Sequence, residues 1–75
     1  MMIEAVKNHV ENKFGLKTQS MIEGKNLLIR VSGLDNLSLA KWIEKEFLHI
    51  EVTVHHTKDY EFSNEGWVKV KNTLE

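Results

Sequence analysis

The 75-residue chain carries 10 Lys/Arg against 11 Asp/Glu, a formal net charge of −1, and contains neither cysteine nor proline. These figures exclude disulfide frameworks, thiolate metal sites and cysteine nucleophiles, and they give no general electrostatic pull toward nucleic acid or anionic lipid. One domain fits this length and buries roughly 60% of the surface its unfolded chain exposes, so a stability of about 5 kcal/mol is expected, which dimerisation would raise.

The first helix is predicted over about Met2 to Phe14. Ile3, Val6, Val10 and Phe14 recur at three- and four-residue spacing and form one narrow apolar stripe. Gly15 supplies the positive φ that ends helices. A helix this short is marginal alone, so its stripe must pack on something.

Gly24-Lys25 follows as a glycine-first two-residue loop, which suits a type II′ hairpin turn. That turn pairs Glu23 with Asn26. It then sets Ile22 opposite Leu27, Ser20 opposite Ile29 and Thr18 opposite Val31 on one face. Met21 meets Leu28, and Gln19 meets Arg30, on the other. The Ile22 face is the more apolar and is expected to meet the core; a slip of one residue would scramble both faces.

The second helix is predicted over about Leu37 to Leu48, with Asp35 or Asn36 accepting hydrogen bonds from the first-turn amides. Leu39, Ala40, Ile43 and Phe47 share one side, and Trp42 and Glu46 lie together on its rim. From His49 to His56 the pattern alternates: Ile50, Val52 and Val54 face one way, Glu51, Thr53 and His55 the other.

In the C-terminal third, Trp67, Val70 and Leu74 have helical spacing, but hairpin pairing argues for strands. Asn64-Glu65-Gly66 reads as a three-residue loop with glycine in the left-handed position. Phe62 then faces Val68 and Tyr60 faces Val70 on the inner side, while Glu61 faces Lys69 and Asp59 faces Lys71 on the outer side. A turn near Thr57-Lys58-Asp59 would bring Val54 opposite Phe62 and His55 opposite Glu61. The expected fold class is α+β, two-layer, in the order α-β-β-α-β-β-β. Two helices pack on one face of a five-stranded antiparallel sheet, and the other face is left to water. Strand order does not follow from this reasoning.

No motif specifies a reaction, so catalysis and cofactors are not expected. Ser63, His55, Asp59 and Glu61 are the right residue types for acid–base work, but they fall on strand faces and a hairpin, without a nucleophile elbow or a phosphate cradle. No metal site is expected either. The adjacent His55 and His56 point to opposite faces of a strand, and His49 and His55 lie about 20 Å apart along it.

Two surfaces remain. Met21, Leu28 and Trp67 are expected to form an apolar cluster on the open sheet face and to serve as a partner surface. Arg30, Trp67, Lys69 and Lys71 on the same face are the alternative, a weak single-stranded nucleic-acid interface in which bases stack and phosphates pair. The leading expectation is a small bacterial or phage-type accessory protein that acts through protein–protein binding, with self-association as a homodimer one form of it. The domain is taken as residues 1–73, with Leu74-Glu75 read as an expression-tag remnant. The absence of cysteine, of a signal peptide and of any apolar run of membrane length points to a soluble protein of the cytoplasm.

Overall fold

The computed structural model describes residues 2–56 and 65–73. Helix α1 (Met2–Phe14) leads through a short 3-10 turn into strands β1 (Thr18–Glu23) and β2 (Asn26–Val31). Helix α2 (Asn36–Glu46) follows, then strands β3 (Ile50–His55) and β4 (Trp67–Asn72). The strands form one antiparallel sheet in the order β1-β2-β4-β3. Chain direction makes β2 and β3 parallel, so α2 crosses over the sheet from one to the other and β4 inserts between them. Both helices lie on one face, with α1 over β1, β2 and β4, and α2 over β2, β3 and β4. The architecture is therefore the two-layer α+β fold expected.

Local chemistry explains the elements. Ile3, Val6 and Val10 are fully buried along α1, and Gly15 ends the helix at φ 62°. The β1–β2 hairpin has all six expected pairs, from Thr18–Val31 to Glu23–Asn26. Gly24 has φ 62° while Lys25 keeps a negative φ, the combination a type II′ turn requires. Asp35 caps α2, its carboxylate accepting a hydrogen bond from the Ser38 N–H at 3.2 Å. That helix stops two residues short of the expected Leu48. Phe47 is already extended at φ −131°, ψ 143°, and His49 sits in the left-handed region at φ 62°, a reversal that lets the chain enter β3.

The core lies between the helices and the inner face of β2 and β4. Leu27, Ile29, Val31, Val68 and Val70 meet Ile3, Val6, Val10, Leu39, Ala40 and Ile43, with Val52 and Val54 packed against them. One inner-face expectation needs correction: Ile22 is 42% exposed. It sits near the hairpin turn on an edge strand, and the helices are centred over the inner strands instead.

The C-terminal pairing also differs from expectation. β3 and β4 are hydrogen-bonded neighbours, with Val54 opposite Val68 and His55 opposite Trp67. Val68 therefore lies between Ile29 and Val54, and Val70 between Leu27 and Val52. No strand separates β3 from β4, so the arrangement in which Phe62 lay between Val54 and Val68 is overturned. The expected fifth strand and its residues Asp59, Tyr60, Glu61 and Phe62 lie outside the described residues, as does Ser63. The expected inward parity of Val68 and Val70 is seen, both being fully buried.

Gly66 marks the close approach of β4 to β3. Its φ is 85°, and a Cβ at this position would overlap the His55 carbonyl oxygen. Gly66→Ala combines left-handed strain with a backbone clash and should cost about 2 kcal/mol. Urea unfolding of the two forms at equal slope measures the difference.

Candidate functional site

On the face turned away from the helices, the registers align side chains in rows across the sheet. One row runs Glu23, Asn26, Lys71, Glu51; the next runs Met21, Leu28, Lys69, Thr53. The third begins with Gln19 and Arg30 and ends with Trp67 and His55. All the residues of both expected surfaces thus share this one face.

Their exposure differs from expectation. Met21 is 38% exposed, but Leu28 is 2% and Trp67 3% exposed. Both occupy inner strands, where cross-strand neighbours flank a side chain on either side. Leu28 stands between Met21 and Lys69. The Trp67 indole stacks on the His55 imidazole with centroids 3.9 Å apart and planes 8° apart. The expected apolar patch therefore reduces to Met21 on the β1 edge.

Of the basic residues, Arg30 is engaged by side-chain partners. The Arg30 guanidinium donates to Gln19 Oε1 at 2.6 Å and lies 3.6 Å from the Glu65 carboxylate. Lys71 faces Glu51 across the strand pair. A base seeking the Trp67 face meets a ring already stacked and buried.

A second feature lies on the opposite layer, where an open groove of about 460 Å³ runs between α1 and α2, lined by His9, Asn12, Lys13, Trp42 and Glu46. The His9 ring stacks parallel to Trp42 at 5.2 Å and meets Phe47 edge-on at 5.4 Å. Its Nε2 lies 3.0 Å from the Glu46 carboxylate, and the Lys13 ammonium sits 5.8 Å from the Trp42 ring centre. The neighbouring Trp42 and Glu46 on α2 are legible in the sequence, but nothing local marks His9, which reaches them only through the packing of α1 on α2. The stack and the contact with Glu46 lock one helix to the other. Among the described residues no three His, Cys, Asp or Glu side chains are grouped to hold a metal ion.

The third feature is backbone. Ser32 N–H donates to Lys17 C=O at 2.8 Å, so Lys17 and Ser32 form a hydrogen-bonded pair. Antiparallel ladders alternate, so Gln19, Met21 and Glu23 also bond to β2, while Ser20 and Ile22 turn their N–H and C=O groups outward; Thr18 turns its C=O outward, its N–H donating to Gly15 C=O. Among the described residues no strand pairs with this edge. Thr18 to Ile22 is uncharged and free of proline, and Met21 and Ile22 are exposed beside it. The opposite edge, β3, carries Glu51 and His55.

No family model, curated protein or solved structure matches the chain.

His9→Ala removes the ring stack and the Glu46 contact together and should destabilise the domain by about 1–2 kcal/mol, lowering Tm by roughly 5–10 °C. Calorimetry checks this.

Proposed function

We propose that this chain is a small binding protein that acts by protein–protein contact, taking a partner's strand onto the open edge of β1. The observation that carries this reading is that edge: outward N–H and C=O groups at Ser20 and Ile22 and an outward C=O at Thr18, no charge from Thr18 to Ile22, and exposed Met21 and Ile22 alongside. Unpaired sheet edges are normally blunted by charge, proline or a bulge, and one that is not is a template for another strand. In strand addition, backbone hydrogen bonds supply affinity and alternate side chains supply specificity. The reading calls for no cofactor and no catalytic step. Among the described residues no helix is long and apolar enough to cross a membrane. The proposed compartment is the cytoplasm, a reading supported by the cysteine-free composition.

Ser20→Pro tests this reading. Proline removes an outward N–H and spares the bonds to β2, so the fold should lose no more than about 1 kcal/mol. Host proteins captured by the immobilised chain should be lost with the variant. In the captured complex the amides of Ser20 and Ile22 should gain protection from hydrogen exchange, while Thr18, already bonded to Gly15, and Gln19 and Met21, already bonded to β2, stay unchanged. Capture that ignores Ser20→Pro would defeat the reading.

One observation favours a second reading, single-stranded nucleic-acid binding: Arg30, Trp67, Lys69 and Lys71 do lie on one face. The stacked, buried Trp67 and the acidic neighbours of Arg30 and Lys71 weigh against it. A fluorescein-labelled single-stranded oligonucleotide at low salt, where phosphate contacts are strongest, should therefore show no anisotropy rise. A rise abolished by Lys69→Glu would reverse the ranking.

A further inference from the structure

We infer that the strand received at the β1 edge is β1 of a second copy of this chain, paired antiparallel about a two-fold axis with Ser20 facing its own copy. The inference rests on the proposed use of that edge and names its partner.

The register follows from geometry. A two-fold axis perpendicular to the sheet continues it with both helical layers on the same side. Directly opposed residues must then share a face, so even-numbered residues meet even-numbered ones. The outward groups are the N–H and C=O of Ser20 and Ile22 and the C=O of Thr18, whose N–H donates to Gly15 C=O. The register centred on Ser20 sets Thr18 against Ile22, Ser20 against Ser20 and Ile22 against Thr18. That arrangement forms about four backbone hydrogen bonds, two in the Ser20 pair and one in each Thr18–Ile22 pair. A shift of two residues toward the turn keeps about four bonds between Ser20 and Ile22 but sets Lys17 against Lys25 of the other copy, like charge against like.

The same register has a consequence in charge. Lys17 stands immediately before the strand and Glu23 closes it. Antiparallel pairing about Ser20 sets Lys17 of each copy opposite Glu23 of the other, at both ends of the interface. The segment Lys17-Thr18-Gln19-Ser20-Met21-Ile22-Glu23 is thus self-complementary: basic at one end, acidic at the other and uncharged between. On the helix face Thr18 packs beside Ile22 of the second copy. On the open face Gln19 lies beside Met21, so both exposed apolar side chains of the edge are covered. A foreign strand would need this pattern independently; a second copy has it by construction. The dimer joins two four-stranded sheets into one continuous sheet.

Sedimentation velocity of the full chain at low ionic strength, over a range of concentrations, tests the inference. The wild type should sediment as a dimer. Lys17→Glu and Glu23→Lys should each weaken the dimer about tenfold or more, because each turns both end pairs from attraction to repulsion. An equimolar mixture of these two variants should form a heterodimer tighter than either variant alone, and the double variant should recover the wild-type affinity. These surface changes keep the test independent of whether Ser20→Pro folds. A chain that stays monomeric at millimolar concentration overturns the inference, as does a dimer indifferent to the charge reversals. A monomeric chain whose capture of host protein is still lost with Ser20→Pro would overturn self-pairing alone and leave the strand-accepting edge standing. Loss of that sensitivity as well would overturn both.

Discussion

The pairing of β2 with β4 is the contact on which the rest of the molecule depends. It sets Leu27 beside Val70 and Ile29 beside Val68, giving a fully buried apolar strip down the middle of the sheet. Each helix has a single apolar stripe, and neither stripe can be buried by the other helix alone. The strip supplies the common surface, with Ile3, Val6 and Val10 packing on it from α1 and Leu39, Ala40 and Ile43 from α2. Because side chains alternate along a strand, the same pairing sends Leu28, Arg30, Trp67, Lys69 and Lys71 to the opposite face. Among the described residues it also leaves β1 and β3 as the two edges.

Those two edges are not equivalent, and this asymmetry connects the fold to its proposed use. The helical layer is centred on the inner strands, which leaves Ile22 partly bare on β1. β1 carries its one charge, Glu23, at its last residue and is uncharged from Thr18 to Ile22, whereas β3 carries Glu51 within the strand. A chain of this size has a thin core and gains from further burial. A sheet that continues across β1 would extend both layers without disturbing either helix, since the groups it engages point away from β2.

Much of the fold is legible in the chain because the signals that specify it are local. A two-residue glycine-first turn admits one hairpin register, so six residue pairs follow from Gly24-Lys25 alone. The helical stripes, the Gly15 stop and the Asp35 cap are read the same way. The alternation of β3 and the inward parity of Val68 and Val70 are equally local. The open face was legible as a face, since parity assigns its members, but their exposure was not. Leu28 and Trp67 were expected to meet solvent, and both are buried, Trp67 stacked on His55. Burial of a sheet residue depends on which strands flank it, and strand order is a long-range property. The early end of α2 escaped for a related reason: Phe47 continues the apolar spacing, but the chain must reverse there to enter β3.

The amino-acid sequence by itself determined the elements, the hairpin register, which side chains share a face, and the charge pattern from Lys17 to Glu23. Each is carried by residues near one another along the chain, where turn chemistry and periodicity act directly. Only the tertiary structure decided the strand order, the direct pairing of β3 with β4, the stack of His9 on Trp42 and the exposure of β1 as an edge. These depend on contacts between residues far apart in sequence, whose choice is made by burying both helical stripes on one sheet at once.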